Sequence, residues 1–434
     1  MRRSGALHCP LFIMKNFSVG TLSELSDDIR VSADESVSAM LFDLYGWEGS
    51  LDDYPPAADN FGKGKVMKLS SLEEAVAAGI TTDILYGVPY YHIKCFFDLA
   101  GSDAGVYVAI ADCHSDFSIL DDIARLSGYT VFQAGIWTEQ PLWTQTDESA
   151  CTPSPFLTAL AAHLQKMSEA VVSDISVVVS GGRGEESGSG TDLTVLPDLT
   201  SLRQPRLSVV LGQPTSDDLH TMQHATSRLT PPGMIGRVMA LLTLLPAEDS
   251  IGSVMKGDLN KAEDIDDAEI GFGKTSDDYT PVGDITDNLY RSLAEKAYIM
   301  PLRYDGIETG LFLSGDPTAT RGDVNTISLA RVLRKAKRIV LQALLPYINA
   351  DWHANGGLSK AAQAEINGAV SESLAARLLC ADKGTLQAES ITVTVDPSTT
   401  LLSDDGISLS FAIIPLGQEK EIHLRERSEF PIDN

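Results

Sequence analysis

Apolar positions along this chain follow two periods that take turns. Residues 37–44 read as a strand that closes at Gly46. Residues 70–79 read as a helix: Ser71 is placed to cap it, and Glu73 and Glu74 fall in the first turn, where the helix dipole favours anions. A strand at 105–111, a helix at 117–126 and a strand at 129–137 follow. Residues 155–170 form a helix with Leu157, Leu160, Ala161 and Leu164 on one face. Residues 175–179 and 206–211 are near-continuous apolar runs, as expected of strands covered on both faces. The alternation predicts βαβ units around a parallel sheet.

Two stretches interrupt the pattern. Residues 180–192 (SGGRGEESGSGTD) have the composition of a flexible surface loop, and residues 256–288 read as a long, exposed, acidic excursion. A short helix at 290–297 and strands at 297–302 and 306–313 come next, with a loop at 315–323. Residues 327–345 then form a helix with Leu329, Val332, Leu333, Ala336, Val340 and Leu344 on its apolar face. Arg331, Arg334, Lys335 and Arg338 stand at i, i+3, i+4 and i+7, so they make one cationic stripe, with Lys337 nearby and no acid in the helix. Pro346 ends it, and Ser359 caps a second helix at 359–380. Residues 391–395 and 407–413 alternate strictly and predict an antiparallel pair joined around Asp405–Gly406. Residues 419–427 alternate through Ile422 and Leu424 with charge at almost every other position, as exposed strands do to avoid indiscriminate pairing. At the other end, Phe12, Ile13, Phe17 and Val19 suggest a short strand on a loose arm.

Length and charge narrow the function classes. At 434 residues and 43% hydrophobic content the chain is globular and long enough for two or three domains. A net charge of −27 argues against nucleic acid and anionic membranes as partners. Five cations on one helix of so acidic a chain suggest a surface that meets a partner; the alternative is a face paired with the chain's own acids. Cys9, Cys95, Cys113, Cys151 and Cys380 are odd in number and widely spaced, which fits unpaired thiols in a reducing compartment. Met1-Arg2-Arg3 hints at a leader, but His8 and Pro10 interrupt the apolar stretch that follows, and Met14 is an alternative start. The apolar helix at 234–245 contains Arg237 and is too short to cross a bilayer.

Candidate chemistry is thin. Residues 271–276 (GFGKTS) resemble the end of a phosphate-binding loop, but Ala268 stands where a glycine is needed and the surroundings are acidic. His220 and His224 have helical metal-ligand spacing without the glutamate that zinc proteases carry. Asp112, Cys113 and His114 end a strand, where sheet enzymes keep catalytic groups, yet neighbours on a strand point to opposite faces. No catalytic residue, cofactor or metal site is expected.

The segment 298–340, YIMPLRYDGIETGLFLSGDPTATRGDVNTISLARVLRKAKRIV, resembles the sheath proteins of contractile phage tails and related injection machines. Residues 358–386 are similar to that family's second helix, and the closing stretch from ITVTVDPSTTLLSDDG to EIHLRER is similar to its last β segment and arm. Residues 36–43 and the strand region 96–112 resemble its early sheet. The resemblance implies an α/β and α+β multidomain fold. It divides into an N-terminal arm (1–30), an outer α/β domain (31–297), a tube-facing α+β domain (298–418) and a C-terminal arm (419–434). It implies a non-enzymatic subunit, assembled in the bacterial cytoplasm, that polymerises helically around an inner tail tube protein and meets baseplate and tail terminator proteins. It places tube contact on Arg331, Arg334, Lys335 and Arg338 or on the polar face of 359–380. Phe17, Val19, Ile422 and Leu424 would lie in arms that add strands to neighbouring copies. The competing readings are an α/β enzyme with a site near residues 112–114, and another tail component such as a tube or baseplate protein.

Overall fold

The computed structural model describes residues 7–12, 35–43, 66–82, 87–101, 103–113, 115–147, 150–169, 174–181, 193–214, 233–259, 270–272, 280–304, 307, 310–347, 359–379, 388–395 and 408–415. The strands are β1 (Leu7–Phe12), β2 (Ser38–Asp43), β3 (Val66–Leu69), β4 (Val106–Ala111), β5 (Gln133–Thr138), β6 (Trp143–Asp147), β7 (Ala150–Pro153), β8 (Ser176–Gly181) and β9 (Leu207–Val210). They continue with β10 (Gln213–Pro214), β11 (Ile270–Phe272), β12 (Thr280–Pro281), β13 (Tyr298–Ile299), β14 (Pro301–Leu302), β15 (Phe312–Leu313), β16 (Ala388–Val395) and β17 (Ser408–Pro415). The helices are α1 (Leu72–Ala77), α2 (Gly87–Ala100), α3 (Ser118–Leu126), α4 (Pro155–Glu169), α5 (Ile235–Leu244), α6 (Asp287–Glu295), α7 (Ile327–Leu344) and α8 (Lys360–Leu378).

The main sheet runs β13-β9-β8-β5-β2-β4-β3. Its neighbours are parallel except β3, which lies antiparallel on the edge against β4. The fully buried runs 38–43 and 133–138 occupy its centre, as strands covered on both faces must. The fold is thus a multidomain mixture of α/β and α+β parts, with a second, three-stranded sheet ordered β1-β17-β16.

Helix α5 lies across β5 and β2 and touches α2 at close quarters. Gly236 permits this: a Cβ there would stand 2.2 Å from the carbonyl oxygen of His92. The Gly236 N–H donates to His92 Nδ1 at 3.2 Å, so the two helices are pinned backbone to side chain at their crossing. Helix α2 falls where the sequence pattern assigns no element, and its last residues, 96–100, are helical where the resemblance expects the strand region 96–112 to begin.

Two cores result. The larger extends from Ala39 to Ile327, and the smaller from Ala336 to Ile413. Tyr298, Ile299, Met300, Leu311 and Leu313 belong to the larger core, so a division at residue 298 cuts through it. The acidic stretch is not wholly an exposed excursion either. Leu259, Phe272 and Val282 are buried, and β11 pairs with β10 and β12. Gly271 and Phe272 of the glycine-rich motif lie in β11.

Candidate functional site: the arginine helix and the terminal sheet

Helix α7 starts at Thr326, whose Oγ1 accepts from the Leu329 N–H at 3.3 Å. Asp316 accepts from the Ser328 N–H at 2.9 Å. From there the helix enters the molecule, and none of its residues is exposed. This corrects the sequence expectation for Arg331, Arg334, Lys335 and Arg338. They form a stripe, but Arg331 and Arg338 are fully buried, Arg334 is 2% exposed, and Lys335 is mostly covered. They do not form a solvent-facing surface.

The stripe is held by the chain's own backbone. Arg331 donates from Nη2 to the carbonyls of Leu242 (2.8 Å), Leu245 (2.9 Å) and Glu35 (3.2 Å), and from Nη1 to that of Pro246 (3.2 Å). Leu242, Leu245 and Pro246 lie at the C-terminal end of α5, where carbonyls lack helical partners and the helix dipole is negative. Arg334 Nη2 donates to the Val131 carbonyl at 2.6 Å, and Arg338 reaches the carbonyls of Thr130 (3.3 Å) and Val131 (3.1 Å). Both guanidinium groups also lie over the Phe132 ring, at 4.5 and 5.0 Å from its centroid.

Two acids complete the arrangement. Lys335 pairs with Glu35 at 2.7 Å. Asp174 is buried between Arg206, which clasps it through Nε and Nη2, and Lys337 at 3.2 Å. Burial works to raise the Asp174 pKa, but Arg206 and Lys337 outweigh it and hold the carboxyl below its ordinary value. Burial pushes Arg331 down to about 10, opposed by Glu35 and nearby acids, so it stays charged at neutral pH. Burial, then the neighbouring Arg338, pushes Arg334 well below its ordinary value. Glu35, Val131 and Asp174 stand just before β2, β5 and β8, so α7 crosses the amino ends of three parallel strands.

The far half of α7 belongs to the other core. Ala336, Ile339, Val340 and Leu344 pack with Ala362, Ile366, Val370, Leu374 and Leu378 of α8 and with Val393, Val395, Leu409, Phe411 and Ile413 of the terminal sheet. The α8 contribution recurs every fourth residue, which leaves Ala361, Ala364, Glu365, Gly368, Glu372 and Ala376 exposed on the opposite side. Ser359 caps α8, accepting from the Ala362 N–H at 3.1 Å.

The antiparallel pair expected near the C-terminus is β16 and β17, in register from Ile391↔Ile413 to Val395↔Leu409. On the other edge of β17 lies β1 of the same chain, antiparallel from Leu7↔Ile413 to Phe12↔Ser408. Phe17, Val19, Ile422, Leu424, the turn at 405–406 and the C-terminal arm lie outside the described residues. So do the loop at 182–192, His114, His220 and His224.

At the carboxyl ends of the main-sheet strands, the Asp43 carboxylate accepts from the Cys113 N–H (2.9 Å), Thr138 Oγ1 (2.6 Å) and Gln140 Nε2 (2.6 Å). These bonds tie β2 to the ends of β4 and β5. Burial, then Asp43, Asp112 and Asp116, pushes the Cys113 thiol far up, which suits a packed sulfur rather than a nucleophile. Among the described residues no cluster of three metal-ligating side chains occurs, and no helix is long and apolar enough to cross a membrane.

No protein-family model and no curated protein matches the sequence. Solved structures do match the fold. A chain of the anti-feeding prophage baseplate, six-fold symmetrised, aligns over 92% of this chain and 94% of its own, with TM-score 0.56 and 12% identity. The helical sheath of the same prophage in its contracted state aligns over 91% and 94%, with TM-score 0.55 and 13% identity. The contracted sheath complex of an extracellular contractile injection system, PVC, aligns over 91% of both chains, with TM-score 0.51 and 12% identity. Over nearly its whole length, this chain shares its fold with sheath and baseplate chains of contractile injection systems.

Proposed function

We propose that the chain is a sheath subunit of a contractile machine, a phage tail or a phage-derived injector, assembled in the bacterial cytoplasm. Copies polymerise helically around an inner tube between baseplate and terminator, and contraction drives the tube forward. The role is structural rather than catalytic. The observation that carries this reading is the match to two contracted sheaths over 91% of the chain.

The terminal sheet supports the same reading. Its outer strand β16 has β17 as its sole strand partner among the described residues. An open strand edge is a template for a segment of another chain. Residues 419–434 of a neighbouring copy are the natural occupant, given their alternating Ile422 and Leu424. A head-to-tail contact of this kind does not close, so it extends into a filament. Tube contact falls to the outer face of α8, through Glu365 and Glu372, because the arginine stripe is used internally.

Electron microscopy of the purified protein tests the proposal: tubes or stacked rings are expected, and a chain ending at residue 418 is expected to fold but not polymerise. Long tubes from the shortened chain would refute strand addition by the arm. The baseplate match favours a second reading, a single sheath-like ring at the baseplate. That reading is upheld if rings form that never lengthen.

A further inference from the structure

His92 stands where α2 crosses α5, and it is fully buried. The Phe42 ring stacks on it at 5.9 Å, and Tyr91 meets it edge-on at 5.2 Å. Its bond with Gly236 fixes its proton state. A backbone N–H only donates, so the Nδ1 that accepts from Gly236 carries a lone pair and the ring is neutral. Gly236 is the second residue of α5, so this N–H is one of the donors that a helix leaves without an internal partner. The imidazole lone pair therefore caps the helix from the side.

A proton on Nδ1 undoes this in three ways. It turns the acceptor into a donor that faces another donor. It brings positive charge to the amino end of a helix, where the dipole is already positive. It also places that charge on a ring sealed from water. Arg237, next along α5, adds a cation to the same crossing and interacts with Tyr91 and Cys95 of α2. Burial pushes the Tyr91 phenol well up and the Cys95 thiol up, so neither supplies an anion. Lys94 and Asp98 pair with each other on the outer side of α2 at 2.7 Å, and Glu73 and Glu74 of α1 are exposed. Asp43 follows Phe42 on β2, so its side chain leaves the sheet by the other face, where it accepts from Cys113, Thr138 and Gln140. The crossing has no slack to take up the change, because the two backbones are already in contact at Gly236.

We propose that His92 is an acid-operated catch: neutral, it ties α5 to α2; protonated, it lets the two helices part. The closed crossing excludes a proton that the open one accepts. The catch is therefore firm above the ordinary histidine value of about 6.5 and weakens as pH falls below it. Asp174, held below its ordinary value, titrates in stronger acid, so mild acid loosens the α2–α5 crossing while the arginine cluster stays intact. The catch belongs to the single chain and does not depend on the sheath reading.

Amide hydrogen exchange of the purified full chain tests it, with rates corrected for their intrinsic pH dependence. Between pH 7.5 and 5, opening of α2 and α5 is expected to rise about thirtyfold, the ratio for a histidine that titrates only in the open form, while α8 changes by less than about twofold. His92→Asn keeps an oxygen acceptor where Nδ1 stands and takes no charge, so its α2 and α5 are expected to open equally at both pH values. A rise in the variant as large as in the parent overturns the proposal. So does a parent in which α2 and α5 open no more than α8 at pH 5, a comparison that decides the matter alone if the variant does not fold. The readout does not involve assembly, so a chain that forms neither tubes nor rings removes the sheath reading and leaves the catch standing.

Discussion

The guanidinium of Arg334 lies 4.5 Å above the ring of Phe132, inside the molecule, where the sequence pattern alone puts it in water. A charge buried this way keeps its energy low by exchanging water for a π face and a carbonyl. Reversing it leaves an anion among Val131 O, Asp174 and the ring. Arg334→Glu with Lys335→Glu is therefore expected to abolish folding rather than weaken a surface contact. Soluble yield and circular dichroism check this; a well-folded double variant would show that the stripe is dispensable inside the chain.

Arg331 donates to four backbone carbonyls. Its loss takes the side-chain donor from the Leu245 carbonyl and one of two donors from those of Leu242, Pro246 and Glu35, which also accept from Gln133 Nε2 or the Asp249 N–H. Arg331→Ala is expected to cost about 2–3 kcal/mol, from a buried acceptor left without its donor and the space the side chain vacates. Urea unfolding followed by tryptophan fluorescence measures it. Arg331→Lys is expected to recover only part of the loss, because an ammonium cannot span four acceptors.

Asp174 gives a pH signature. Its folded pKa is depressed, so its stabilisation is present above the unfolded value and disappears as pH falls through the folded one. Asp174→Asn is expected to be less stable than the parent at pH 7, with the gap narrowing below about pH 4. Melting temperatures of both proteins between pH 3 and 7 provide the comparison. A gap independent of pH would assign the loss to packing.

Gly236 offers a steric test. Its absent Cβ leaves room for the His92 carbonyl, so Gly236→Ala is expected to destabilise by about 1–3 kcal/mol through forced separation of α2 and α5. Gly283 has nothing within 4 Å of its virtual Cβ, and Gly283→Ala is expected to be neutral. Equal melting temperatures for the three proteins would contradict the close crossing.

The proposed tube contact on the outer face of α8 can be perturbed without touching a core. Glu365→Lys with Glu372→Lys should leave the melting temperature within a few degrees and reduce co-sedimentation with the inner tube. Undiminished co-sedimentation would move the contact elsewhere.

Much of the scaffold was legible in the residue pattern. The buried runs of β2, β8 and β9 declare parallel strands because water touches neither face, and Ser71 and Ser359 cap the helices expected of them. Helix α2 was not legible. Pro89, His92, Ile93, Cys95 and Phe96 are all buried, so its residues lack the polar face that makes a helix period visible. The folded part of the acidic stretch was signalled only by scattered apolar residues, Leu259, Ile270, Phe272, Val282 and Ile285 among them, between aspartates and glycines. For the arginine stripe, spacing gives the face but not what covers it. The absence of acids within α7 was the available clue, since an exposed helix so rich in cations usually carries i, i+4 acidic partners. Its neutralising groups, Glu35 and Asp174, come from distant sequence and carry no local mark.

Because α7 is embedded in the large sheet's underside at one end and in the hairpin core at the other, neither portion has a hinge of its own along that rod. Heating should melt them in a single endotherm. A pull on the terminal sheet, as the proposed lattice would exert, would likewise turn the large sheet with it as one piece, with little give between them.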